Sequence, residues 1–218
     1  LIVYLAHDLK TPLTSIIGYL EILNESLDIP TQARAKYNKI TLDKAYRLEE
    51  LINEFFEIAR FNIGKIELKK TNLNLRLMLE QISYEFYPIS KANNKPIIIN
   101  CDKTISIFAD SDKISRVFNN IIKNAINYSF NNTQIQIDVF INNDKININI
   151  SNEGNTIPKE KLDYIFEKFY RLDEARTTNT GGAGLGLAIA KEIVEAHNGK
   201  IYAISKDNVT TFTVILPN

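Results

Sequence analysis

Several absences narrow the reading of this chain. Cysteine occurs once, at Cys101, so no intrachain disulfide can form, which fits a reducing compartment. Net charge is absent: Lys plus Arg and Asp plus Glu balance at 26 each. Without a basic field the chain lacks the attraction that drives binding to a phosphate backbone, and nucleic acid is not an expected partner. No apolar run approaches the roughly 18 residues that span a bilayer, and no signal-peptide pattern opens the chain. Methionine occurs once, at Met78, and Leu1 already lies within a helical pattern. The sequence therefore reads as a fragment, with any membrane anchor or sensory segment expected upstream. Internal repeats and low-complexity segments are lacking too.

What is present is an ordinary globular composition, 44% hydrophobic and 24% charged over 218 residues. That length suffices for one large domain or two small ones with a real core. Apolar residues at Leu5, Leu9, Leu13 or Ile16, Leu20, Leu23 and Leu27 trace the seam of a long amphipathic helix. Asp28-Ile29-Pro30 breaks it, with Thr31 as expected N-cap. A second helix carries Tyr37, Ile40, Leu48, Leu51, Ile52 and Phe55 inward and fades at Asn62-Ile63-Gly64. Two helices of roughly 40 Å at ~1.5 Å per residue cannot cover a wide apolar stripe alone. Dimerisation into a four-helix bundle is the simplest remedy; the alternative is a hairpin packed on its own chain.

Beyond Gly64 the pattern changes. Strands are expected over 66–70, 96–101, 105–109, 134–141, 145–151, 200–205 and 210–216, and helices over 73–91, 111–128 and 185–197. The expected fold class is α plus α/β: an antiparallel helical hairpin (1–63), then an α/β sandwich with a mixed sheet (64–218).

Three segments carry phosphate chemistry. Gly181-Gly182-Ala183-Gly184-Leu185-Gly186-Leu187 runs directly into a helix, where glycines admit close backbone approach and free N–H groups attract anions. The helix at 111–128 carries Asn119, Asn120 and Asn124, although asparagine is a poor interior helix residue. Asn120 and Asn124 share one face and are suited to hold a hydrated Mg²⁺ and the phosphates it bridges. Asn152, before the Gly154 turn, can accept from an adenine amino group. Between these lies Phe166-Glu167-Lys168-Phe169-Tyr170-Arg171, with two aromatic anchors and two cations suited to phosphate. Near the start, His7-Asp8-Leu9-Lys10-Thr11-Pro12 places a nucleophile beside a carboxylate on a helix.

Taken in order, His7-Asp8-x-Lys10-Thr11-Pro12, Asn120-x-x-x-Asn124-Ala125, Asn152-x-Gly154, Phe166-x-x-Phe169 and Gly182-x-Gly184-x-Gly186 resemble the H, N, G1, F and G2 boxes of bacterial sensor histidine kinases. The resemblance spans essentially the whole chain. Within that family, Glu167 to Ile193 is most similar to the sensors controlling inducible vancomycin resistance. It implies a dimerisation and phosphotransfer hairpin followed by a catalytic ATP-binding domain, in a cytoplasmic fragment of a membrane sensor.

By the same resemblance, His7 is the phosphoacceptor, attacking the γ-phosphate of ATP through its ε nitrogen, and Asp8 is the general base on the other ring nitrogen. Thr11 orients water when the response regulator is dephosphorylated, and Pro12 kinks the helix. Asn120 ligates Mg²⁺ with Asn124 nearby, and Tyr128 lies against adenine. Lys168 and Arg171 meet the phosphates, and Gly182, Gly184, Leu185 and Gly186 form the loop around them. The implied partners are a second copy of the chain and a response-regulator receiver domain.

This chain departs from the family at three positions. Asn152 stands where aspartate usually reads adenine, Asn127 where many members have a phosphate-contacting lysine, and Thr156 where a glycine is common. Weaker nucleotide affinity is the expected consequence. Related ATPases of the gyrase and heat-shock type carry a water-activating glutamate at the position of Asn120. An amide cannot take that proton, so the residue favours a kinase over a hydrolase. A non-catalytic scaffold is the remaining alternative, opposed by the retained His7, Asp8 and glycine loop. His197 is expected to cap a helix end, Cys101 and Phe55-Phe56 to be core, and Thr210 and Thr211 to lie near the nucleotide.

Overall fold

The computed structural model describes residues 2–25, 28–63, 67–172 and 184–218, without the side chains of 2–8, 50, 54 and 57–63. The chain divides into two compact units, Leu1–Ile63 and Gly64–Asn218.

The first unit is a helical hairpin of α1 (Ile2–Glu25) and α2 (Thr31–Ile63). Pro12 lies inside α1, where its missing N–H and ring leave a weak point in the ladder. The Pro30 carbonyl accepts from Arg34 N at 2.9 Å, which makes Pro30 the capping residue and Thr31 the first helical one, a correction to the expected N-cap. Leu9, Pro12, Ile16, Tyr19 and Leu23 form the more buried side of α1, and the Tyr19 and Tyr37 rings meet at 5.4 Å. Leu13, Ile17 and Leu20 remain 44–50% exposed. Phe55 and Phe56, expected in the core, are also exposed, at 37% and 61%. A two-helix unit covers one face of each helix and leaves the next stripe open.

The second unit opens with β1 (Lys70–Asn74), α3 (Leu75–Glu85), α4 (Tyr87–Ala92), β2 (Ile97–Asn100) and β3 (Ser106–Asp110). It continues through α5 (Ser111–Tyr128), β4 (Ile135–Asn142), β5 (Lys145–Glu153), α6 (Gly186–Ala196), β6 (Lys200–Lys206) and β7 (Val209–Pro217). Five strands form one sheet in the order β2-β4-β5-β7-β6, with β2 parallel to β4 and the other pairs antiparallel. β1 and β3 form a separate antiparallel ribbon.

Two elements differ from the sequence expectation by more than a shift of one or two residues at an end. The first strand begins at Lys70, the end of the expected 66–70 span. Its Asn-rich sequence alternates poorly, and pairing with β3 creates it, anchored where Lys69 N donates to Asp110 Oδ2 at 2.8 Å. The expected helix 73–91 is two helices, because Pro88 cannot continue the α3 ladder and instead sits in the first turn of α4.

Ile146, Ile148 and Ile150 of β5 are fully buried beneath the helices, as are Ile135 and Ile137 of β4. The opposite face of the sheet is polar and linked across strands. Thr213 Oγ1 donates to Asn149 Oδ1 at 2.9 Å, the Ser151 and Thr211 hydroxyls pair at 2.9 Å, and Asn100 Nδ2 donates to Asp138 Oδ1 at 2.8 Å. In α5 the residues Ile114, Val117, Phe118, Ile121, Ile122, Ala125 and Ile126 are buried. Each large aliphatic contributes about 1.5–3 kcal/mol on burial, against at most about 0.7 kcal/mol of helix propensity lost per asparagine. Packing thus carries four asparagines on the other face.

Candidate active site

Two attachments set the register of α5 against α6. At one end, Asn120 Nδ2 donates to the Gly186 carbonyl at 3.0 Å. A side chain at Gly186 would be tight there, since a Cβ would lie 3.1 Å from Asn120 Oδ1 and would push it by a few tenths of an ångström. At the other end, His197 Nε2 accepts from Asp110 N at 3.1 Å while Nδ1 pairs with the Ile193 carbonyl at 2.8 Å. One tautomer satisfies both bonds: the proton is on Nδ1, donated to Ile193. The segments 110–120 and 186–197 run antiparallel and span similar lengths, about 15–17 Å at 1.5 Å per residue.

His197 does cap α6, yet not as the cation that a helix dipole would favour. It is 3% exposed, and burial pushes its imidazole below the ordinary range, helped by Lys70 and Lys113 and opposed by the Ile193 bond and Asp110. Burial works to raise the Asp110 carboxyl. Hydrogen bonds from Lys69 N and Lys113 N, the latter capping α5, together with the Lys113 charge, outweigh that and hold it below the usual range.

Asn120, Asn124 and Asn127 are half-buried along α5, and Tyr128 at its end is 47% exposed. Asn152 continues the inward row of Ile146, Ile148 and Ile150 and is 5% exposed, so its side chain lies on the helix side of the sheet. Gly154 follows at the one place where the chain after α5 meets the end of β5. A Cβ there would lie 2.3 Å from the Tyr128 carbonyl oxygen, and Ser129 bridges to Gly154. Thr210, across from Asn152, pairs its hydroxyl with Ser205 at 2.8 Å.

The aromatic segment and the glycine loop join at their backbones. Phe169 N donates to the Gly184 carbonyl at 2.9 Å, with Phe169 at φ 67° and Gly184 at φ 74°. A left-handed phenylalanine is uncommon and marks a strained position. Phe166 is buried edge-on against Phe212. Lys168 Nζ lies 2.6 Å from Glu192 Oε1 on α6, so a carboxylate already holds one of the two expected phosphate cations. Arg171 differs: its Nη2 is buried without a partner among the described residues.

Leu185 is fully buried and precedes α6. Gly182 lies outside the described residues, as do the side chains of His7 and Asp8; the backbone of both is helical in α1. Thr11, one turn after His7, is exposed. Sequence reasoning missed the contacts of Glu192 and Asp110, because each is made to a residue distant in the chain.

Residues 109–218 match the family of histidine kinase-, DNA gyrase B-, and HSP90-like ATPases, and residues 1–64 match the His Kinase A (phospho-acceptor) domain. With both domains, the chain belongs to the sensor histidine kinases, and its second unit is an ATP-binding domain. It is 56% identical to the sensor protein VanS of Enterococcus faecium over 99% of this chain and 56% of that protein. It is 49% identical to VanSC of Enterococcus gallinarum over 100% of this chain and 60% of that one. The chain thus spans a little over half the length of these curated relatives.

Among solved structures, the histidine kinase AdeS of Acinetobacter baumannii shares the fold, with TM-score 0.80 and 21% identity over 97% of both chains. The kinase ThkA, solved in complex with the response regulator TrrA, gives 0.78 at 25% identity, covering 97% of this chain and 59% of that one. No helix among the described residues is long and apolar enough to cross a membrane.

Proposed function

We propose that this chain is the kinase core of a VanS-like membrane sensor. It uses Mg²⁺-ATP to phosphorylate His7, passes the phosphoryl group to an aspartate of a response regulator, and dephosphorylates that regulator. The carrying observation is the lock between Asn120 and Gly186, which uses the amide nitrogen and leaves the amide oxygen as a fixed donor. Mg²⁺ takes oxygen ligands and retains waters, so the Asn120 amide oxygen, with Asn124 nearby, would help to hold it beside the phosphates. The donor set fits. The metal, when bound, would neutralise phosphate charge.

The remaining roles follow from placement. The unpartnered Nη2 of Arg171 is an anion-seeking donor already desolvated. Lys168 reaches phosphate only by sharing or leaving Glu192. Asn152 and Tyr128 bracket the adenine end, with Asn124, Asn127 and Gly154 lining the way to it. His7 attacks through its unprotonated ring nitrogen: an N–P bond forms, the bond to ADP breaks, and Asp8 takes charge of the proton on the other nitrogen. Thr11 lies one turn from His7 on the same face, in reach of a water bound for the regulator's phosphoaspartate. The exposed stripe Leu13, Ile17 and Leu20, with Leu42, Tyr46 and Phe56, supports a homodimer through the hairpin.

Incubation with γ-labelled ATP and Mg²⁺ tests the reading. An acid-labile, base-stable adduct is expected on the native chain and none on His7→Gln; label on both variants, or on neither, overturns it. With Thr11→Ala, labelling of His7 persists while regulator dephosphorylation is lost.

A further inference from the structure

Lys95, in the turn between α4 and β2, is 5% exposed. Among the described residues no carboxylate stands within ion-pair distance of it. Its ammonium instead donates to two backbone carbonyls, Ile126 O and Ser129 O, both at 2.8 Å. These carbonyls flank Asn127-Tyr128, so one side chain grips the chain on both sides of that pair. Its own stem is fixed: Lys95 N donates to the Ser90 carbonyl at 2.8 Å, and Ser90 Oγ donates to the Lys95 carbonyl at 2.7 Å. Asn94 Nδ2 adds a tie to Asn132 Oδ1 at 2.9 Å.

A buried cation without a counter-ion is a poor choice for stability alone, because desolvating a charge is expensive. Here the negative end of the α5 dipole and two carbonyls offset that cost, and burial still holds the amine below its ordinary range. The return is geometric. On the far side of Tyr128-Ser129 the backbone presses on Gly154, and Phe130 N donates to the Glu153 carbonyl at 2.8 Å. The segment is therefore clamped between Lys95 behind and the end of β5 in front, two residues from Asn152.

We infer that Lys95 is a positioning residue for the adenine end of the ATP site, acting through the backbone on either side of Asn127-Tyr128 and not on the phosphates. The inference rests on the proposed ATP site, with Asn152 and Tyr128 at its adenine end. It predicts a selective defect, since Asn120, Gly186 and Arg171 have no contact with Lys95.

The test compares ATP with inorganic tripolyphosphate, both with Mg²⁺, by displacement of a fluorescent ATP analogue from the whole chain. For Lys95→Met, which keeps most of the bulk, ATP affinity should fall about tenfold, the scale of a lost charged hydrogen bond. Tripolyphosphate affinity should stay within about twofold, and Lys95→Arg should recover ATP affinity to within about threefold of native. Ser90→Ala, which slackens the stem without removing the cation, should cost ATP about threefold and tripolyphosphate nothing, so the inference stays testable even if the methionine variant does not fold. Equal losses for both ligands, or unchanged ATP affinity, overturn it. A native chain that binds ATP no better than tripolyphosphate instead removes the adenine site itself.

Discussion

Asn120 and Gly186 are closely joined: the amide nitrogen donates to the glycine carbonyl at 3.0 Å, and the amide oxygen lies 3.1 Å from where a Cβ on residue 186 would stand. Gly186→Ala should therefore separate activity from stability. Alanine gains up to about 1 kcal/mol of helix propensity over glycine, offsetting the crowding. Displacing Asn120 by a few tenths of an ångström should lower the rate of His7 labelling about tenfold. Initial rates and thermal midpoints measured side by side check this; a lower midpoint with an unchanged rate contradicts it.

Gly154→Ala should do the reverse and damage folding first. Its Cβ would meet the Tyr128 carbonyl oxygen, which is backbone and cannot swing aside. A loss of about 2–4 kcal/mol is expected, the range of severe overpacking, read as a lower urea midpoint.

Asn152→Asp should tighten ATP binding. A charged acceptor is worth about 1.5–3 kcal/mol against about 0.5–1.5 for a neutral one, so the dissociation constant should fall about fivefold. Titration calorimetry at pH 7.5 decides. An unchanged or higher constant would mean that residue 152 does not accept from adenine.

His197 sets an acid limit on stability. Its folded-state affinity for protons is depressed, so the unfolded chain binds the extra proton and stability falls as pH drops below the ordinary histidine value of about 6.5. Asp110, also depressed, acts only in the carboxylate range below about 4. Between pH 7 and 5 the thermal midpoint should therefore fall more in the native chain than in His197→Gln, which starts lower at pH 7 but has the flatter profile. Equal slopes would show that His197 is not the titrating group.

The helix and strand pattern of the second unit was legible because its period is simple: α5 was expected at 111–128 and occupies Ser111–Tyr128. The turn between β4 and β5 is of the kind that Asn-Asp pairs favour: Asn143 and Asp144 both adopt positive φ, as a two-residue type I′ hairpin demands. β1 was misplaced because its pairing partner creates it, and the 73–91 helix was over-extended because Pro88 was read through. The glycines and asparagines of the site stood out as residues costly in ordinary elements. Lys95 and Glu192 gave no such signal: lysine and glutamate are common on surfaces, and only the tertiary structure buries one and pairs the other. His197 was found as a cap, but its neutrality comes from burial in the tertiary structure, with Nε2 accepting from the backbone N of Asp110, far away in sequence.

The polar outer face of the sheet resolves an ambiguity built into its isoleucines. With Ile146, Ile148 and Ile150 spaced alike, sliding β5 by two residues along β7 keeps every inward side chain inward, so hydrophobicity alone barely detects the error. The outward pairs detect it in one direction: that slip sets Asn149 opposite Ile215 and forfeits its hydrogen bond to Thr213, whereas the other sets Ser151 opposite Val209 but offers Asn149 to Thr211 and Asn147 to Thr213. A two-residue slip would also carry Asn152 away from Thr210 and out of line with the end of α5. The asparagines and threonines on the outer side of the sheet thus act as a vernier for the side packed against the helices.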